Sequence, residues 1–293
     1  MAWHDVLANH AYGGRSLVDW VTLLVLIIAT KFMGLGSEGF RQQFSLADVS
    51  LQHPYALHER VPDVLLLVLS LIVPLIGVLV LSAVHTRPFA RMNTAALGLL
   101  LTLAITAVIT NLVKSLVGRP RPDLLDRCQP RLPAWDEGKY HSTLVTDAIC
   151  TTAHDSPILK DGFRSFPSGH SSTSFAGLVY LALCVRAALT SVVYRIAGLY
   201  AYVPAPTEPQ PDPPRANEHT EPQGTVDVPP GDPLSPIAFT IVLPLVPVLV
   251  AAYVAISRTM DYRHHPTDVV AGATLGTVVA LAVYHVYHPR RSI

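Results

Sequence analysis

Charge is scarce in this chain: Asp, Glu, Lys and Arg make up 14% of its 293 residues, while 50% are hydrophobic. A water-soluble globule of ordinary make-up carries about a quarter charged residues, so this composition calls for lipid as solvent. The 21 Lys and Arg are balanced by 21 Asp and Glu. No basic run is long enough to track a phosphate backbone, and nucleic acid is set aside as a partner. Cysteine is scarce too, with three in all and no pair at ligand spacing, which argues against a cysteine-based metal site. Asn-x-Ser/Thr acceptors for glycosylation are missing altogether.

Long apolar runs, in contrast, are abundant. Six are long enough to cross about 30 Å of hydrocarbon. They cover roughly 18 to 36, 61 to 84, 94 to 117, 171 to 189, 237 to 256 and 269 to 287. The first carries Asp19 and Lys31 and lacks the short core and small-residue cleavage site of a signal peptide, so it is expected to remain as a helix. The count becomes five if that run lies flat at the interface. The fold class expected is all-α: a six-span transmembrane helical bundle forming a single domain over 1 to 293, with its active-site loops on one membrane face.

An even number of spans puts both termini on one side. Arg87 and Arg91 in a short loop, with Arg290 and Arg291 at the end, assign that side to the cytoplasm. The loops 37 to 60, 118 to 170 and 257 to 268 then face the lumen or exterior. The first of them carries Phe40, Phe44, Leu46, Leu51 and Tyr55, and is expected either to pack over a site or to rest on the membrane. Its His53, His58 and Glu59 read as surface residues. Cys128 and Cys150 share the second outer loop, where an oxidising compartment favours their pairing, and Cys184 falls within the fourth span. Between Pro204 and Pro236 there are 11 prolines, six acidic residues and one basic residue, which reads as a disordered cytoplasmic linker.

Polar chemistry gathers where the apolar runs end. In the stretch from Ser257 to Asp268, Arg258 precedes His264 and His265, and Asp268 follows at the start of the last run. One helical turn separates His264 from Asp268, close enough for the carboxylate to hold one ring nitrogen and leave the other as a candidate nucleophile. Lys114 and Arg121 stand at the end of the third run. Pro167-Ser168-Gly169-His170 forms a turn before the fourth, whose backbone N–H groups and helix N-terminus suit an anion. Lys114, Arg121 and Arg258 supply three fixed positive charges that suit the same anion. By count alone His170, His264, His265 and Asp268 are also a ligand set, but a divalent cation among three fixed cations is electrostatically poor, so no metal and no other cofactor is expected.

Lys114-x6-Arg121-Pro122, Pro167-Ser168-Gly169-His170 and Ser257-Arg258-x5-His264-x3-Asp268 together resemble the signature of the type 2 phosphatidic acid phosphatase superfamily, in order and with no position substituted. The surrounding residues look like its integral-membrane lipid phosphate phosphatases, especially the diacylglycerol pyrophosphate phosphatase type. The resemblance implies a phosphorylated lipid as substrate. It also implies attack by His264 to give a phosphohistidine, Asp268 as its orienting group, and His170 as the acid at the departing oxygen. Lys114, Arg121, Ser168, Gly169 and Arg258 would bind the phosphate. Isoprenoid diphosphatase and lipid phosphotransferase activities fit the same motifs, as does a vanadium haloperoxidase, which the six apolar runs argue against. A non-enzymatic lipid-binding protein would be signalled by a damaged motif, and none is damaged.

Overall fold

Backbone in hydrocarbon has to satisfy its N–H and C=O groups within its own segment, and each apolar run is accordingly helical. The structure is a computed structural model, and it describes residues 3–36, 39–83, 88–131, 143–201 and 237–288. The segment 204–236 and Arg87, Arg290 and Arg291 lie outside the described residues.

The long helices are α1 (Trp3–Gly36), α2 (Asp63–Ala83), α3 (Pro88–Val117), α6 (Gly169–Ala201), α7 (Ile237–Met260) and α8 (Pro266–Tyr287). Two short ones, α4 (Leu124–Cys128) and α5 (Pro157–Gly162), lie between α3 and α6. The all-α membrane bundle is as expected, but the span count differs. Among the described residues five helices, α2, α3, α6, α7 and α8, are long and apolar enough to cross a membrane, against the six expected. The difference falls on the first run, where α1 is helical and exposes Leu17, Val21, Leu24, Ile28 and Phe32, with Asp19 accepting from the Tyr287 hydroxyl at 2.7 Å.

Helix α6 lies at the centre, packed against α3, α7 and α8. Val78, Leu99, Val179, Tyr180, Leu181 and Ala280 form the core between α2, α3, α6 and α8. Outward-facing residues such as Phe89, Phe239, Leu249 and Val286 are apolar and exposed, the surface a lipid solvent requires. A Cβ on Gly272 would stand 2.5 Å from the Ser168 carbonyl oxygen, and one on Gly276 2.2 Å from that of Ser172. Only glycine therefore lets α8 lie this close to α6. The closeness joins two motifs directly, because the Ser168 N–H donates to the Asp268 carbonyl at 3.0 Å.

The described residues before α2 and between α3 and α6 form a small core of their own beside this end of the bundle. Phe44–Ser45 (β1) pairs antiparallel with Leu144–Val145 (β2), and Phe44, Leu46, Leu51, Leu124, Leu159 and Phe163 bury one another. Each such side chain contributes about 1.5–3 kcal/mol on burial. The loop between α1 and α2 packs against this end of the bundle, one of the two placements expected for it. Cys128 and Cys150 are bonded through their sulfurs, and Cys184 is free within α6. Gly118, at φ +61°, ends α3, and a Cβ there would fall 1.9 Å from the Phe40 carbonyl oxygen, so the first loop closes directly onto the turn that carries Arg119 and Arg121.

Candidate active site

The C-terminal ends of α3 and α7 and the N-terminal ends of α2, α6 and α8 meet at one end of the bundle. The three sequence stretches converge there. Lys114, in the last turn of α3, is buried; its Nζ donates to the Arg164 carbonyl at 2.5 Å, and a Cβ on Gly169 would lie 3.8 Å from its Cε. Arg121 is buried as well, donating from Nε to the Asp161 carbonyl at 2.8 Å, from Nη2 to the Asp161 carboxylate at 2.7 Å and from Nη1 to the Arg263 carbonyl at 3.3 Å. Burial works to raise the Asp161 carboxyl, but Arg121, Arg127 and Lys114 outweigh it and hold the group well below the usual carboxylate range. Asp161 is thus a permanent anion that fixes the guanidinium plane of Arg121.

His264 is 3% exposed. Burial, with the charge of Arg121 next in weight, holds its ring well below the ordinary imidazole range, so the ring is neutral. Its Nδ1 lies 2.7 Å from the Ser165 carbonyl oxygen. A carbonyl oxygen only accepts, so the single ring proton sits on Nδ1 and the lone pair is on Nε2. This tautomer is the one a nucleophilic imidazole needs. The Asp268 carboxylate, the expected orienting group, lies 3.9 Å from the same Nδ1, beyond hydrogen-bond length, so the Ser165 carbonyl is the nearer partner.

Asp268 also organises the residues around His264. Its fully buried carboxylate accepts from Ser165 Oγ at 2.5 Å, from Arg119 Nη1 at 2.6 Å and from the His265 N–H at 3.0 Å. Ser165 therefore touches both partners, with its carbonyl on His264 and its hydroxyl on Asp268. His265 is the N-cap of α8 and forms a reciprocal capping box with Asp268, which assigns it a structural part.

Ser168 is fully buried and opens the α6 turn, but its N–H is used by the Asp268 carbonyl, so the anion nest expected at Ser168 and Gly169 is smaller by one donor. The Ser168 hydroxyl oxygen accepts from Ser171 Oγ at 3.1 Å. His170 Nε2 lies 3.0 Å from the Val61 carbonyl oxygen, which places a proton on that nitrogen, and 3.7 Å from the Asp63 carboxylate. Arg258, 2% exposed, shares that carbonyl: its Nη1 donates to Val61 O at 3.2 Å and meets Glu59 Oε2 at 3.0 Å. Its Nε is buried with no hydrogen-bond partner. Among the described residues no three of His, Cys, Asp and Glu are grouped as a metal-ligand set.

Sequence reasoning missed several of these groups. Glu59, read as a surface residue, is an ion-pair partner of two arginines; His58 is exposed as expected, while His53 stacks on Tyr262 with ring centroids 4.2 Å apart. The partners of Glu59 lie about 200 positions away, beyond any local pattern. Ser165 acts partly through its backbone, which no side-chain motif encodes. Arg119 and Asp161 stand beside motif residues without a signature of their own.

Comparison with known proteins gives one family. The profile of the PAP2 superfamily matches residues 95–292. Diacylglycerol pyrophosphate phosphatase 1 of Saccharomyces cerevisiae is 34% identical over 281 residues, 94% of this chain and 81% of the relative. A probable diacylglycerol pyrophosphate phosphatase 1 of Schizosaccharomyces pombe is 30% identical over 92% of this chain and 81% of its own length. Lipid phosphate phosphatase 2 of Arabidopsis thaliana is 30% identical over 92% of this chain and 77% of its own. No solved structure matches significantly.

Proposed function

Because the chain belongs to the PAP2 superfamily and is a membrane lipid phosphate phosphatase, we propose that His264 carries its reaction as a phosphohistidine, with diacylglycerol pyrophosphate and lipid phosphate monoesters as substrates. The observation that carries this reading is the neutral His264 ring, protonated at Nδ1 by its bond to the Ser165 carbonyl and bearing its lone pair on Nε2.

Lys114, Arg121 and Arg258 neutralise the phosphate, with Ser168 and the α6 N-terminus at Gly169 as directional donors. Nε2 of His264 attacks phosphorus in line; the N–P bond forms as the bond to the lipid oxygen breaks, and that oxygen takes a proton from His170, which enters this step as the imidazolium and leaves it neutral. Neutral His170 then accepts a proton from water, whose oxygen bonds to phosphorus as the N–P bond breaks, releasing inorganic phosphate. Charge stabilisation and alignment are the main demands of phosphoryl transfer, and three fixed cations supply what a divalent ion supplies elsewhere. The reaction proceeds without metal on this reading. The site faces the lumen or exterior, both termini lie in the cytoplasm, and 204–236 is a cytoplasmic linker.

Purified protein in mixed micelles, given diacylglycerol pyrophosphate, phosphatidate, lysophosphatidate and an isoprenoid diphosphate, tests the assignment. The expected result is phosphate release from the glycerolipids that persists in excess EDTA and is inhibited by vanadate. Strict dependence on added Mg²⁺ would contradict the charge balance, and transfer to an added alcohol in preference to water would identify a phosphotransferase.

A further inference from the structure

We infer that Glu59, in the first outer loop, is a positioning residue for phosphate binding, acting through Arg258; the inference rests on the reading that Arg258 cradles the phosphate. The Glu59 carboxylate bridges two arginines, with Oε2 at 3.0 Å from Arg258 Nη1 and Oε1 at 2.8 Å from Arg263 Nη2. Both arginines are nearly inaccessible, and like charges so placed repel unless an anion lies between them. Asp261 does part of that work, but it is 3.7 Å from Arg258 Nη1 and is also ion-paired with Arg60.

The segment holding Glu59 is itself fixed. The Arg60 N–H donates to Asp261 Oδ2 at 2.9 Å, and the Val61 carbonyl accepts from both Arg258 Nη1 and His170 Nε2. Glu59, Arg60 and Val61 thus bind the second and third motifs from outside them. Arg258 is gripped at Nη1, while its Nε–H is buried with nothing to donate to. A buried donor left without a partner is costly, and an anionic oxygen is the acceptor it suits. Glu59 sets the guanidinium plane so that this remaining donor meets the phosphate.

A double-mutant cycle on the full-length protein tests this, using Glu59→Gln, Arg258→Ala and both together, read as kcat/KM and as vanadate affinity by calorimetry. With Arg258 present, Glu59→Gln should lower both by about 20-fold; in the Arg258→Ala protein it should change vanadate affinity by less than about threefold. Glu59→Asp, which keeps the charge, should recover part of the loss, and it takes the place of the Gln variant in the cycle if the latter does not fold. Equal losses in both backgrounds, or no loss from Glu59→Gln, would overturn the inference and leave Glu59 a structural residue. Wild-type vanadate affinity in Arg258→Ala alone would instead bring down the assignment of Arg258 to the phosphate site, and the inference with it.

Discussion

Replacing Asp268 with asparagine probes how His264, the proposed nucleophile, is held. The wild-type carboxylate accepts from Ser165 Oγ, Arg119 Nη1 and the His265 N–H. An amide keeps one accepting oxygen and turns a donor towards at least one of these donors. Each charge-assisted bond contributes about 1.5–3 kcal/mol, and losing the equivalent of one or two in alignment corresponds to about 3–4 kcal/mol. At about 1.36 kcal/mol per decade, kcat should fall about 10²- to 10³-fold. It should not vanish, because the His264 tautomer is set by the Ser165 carbonyl, which the substitution leaves in place. Ser165→Ala removes only the hydroxyl bond and keeps that carbonyl, so its loss should stay near tenfold. Steady-state kinetics in mixed micelles, alongside a melting curve for each variant, gives the comparison. Asp268→Asn within twofold of wild type, or Ser165→Ala as damaging as Asp268→Asn in folded protein, would refute this division of labour.

Three further outcomes are expected. The folded state depresses the His264 pKa, so above about pH 6.5 the ring is neutral in both states, and as pH falls below that the unfolded chain takes a proton the fold refuses. Stability should therefore drop on acidification from pH 7 to 5 more steeply in wild type than in His264→Gln, as read by melting temperature; equal slopes would contradict the neutral ring. Non-reducing peptide mapping should find Cys128 joined to Cys150 and Cys184 free, and reduction should cost about 3 kcal/mol for a loop of 22 residues; recovery of both loop thiols alkylated from unreduced protein would count against it. An engineered glycosylation acceptor near Gly138 should be modified and one near Gln223 should not, and the reverse pattern would invert the topology.

The sequence made the chemistry legible because phosphoryl transfer needs particular side chains at helix ends, and those ends are marked by where apolar runs stop. Lys114, Arg121, His170, Arg258, His264 and Asp268 all came from that pattern. What stayed hidden depends on long-range approach or on backbone atoms. Glu59 meets Arg258 and Arg263 from about two thirds of the chain away, and the Ser165 carbonyl would serve equally from another residue type. The Ser168 N–H looked free because its acceptor belongs to a helix a hundred residues later. The span count was read from apolarity alone, and α1, with Asp19 and Lys31 in its run, is where apolarity decides least.

The central claim is that His264 Nε2 becomes covalently bonded to phosphorus. Enzyme turning over diacylglycerol pyrophosphate radiolabelled in its terminal phosphate should be quenched in alkaline denaturant and digested. The account predicts one labelled peptide, stable to alkali and labile to acid, that contains His264 and is lost in His264→Ala but retained in His265→Ala. Label that survives acid, label on another peptide, or a phosphoenzyme that persists in His264→Ala would contradict it.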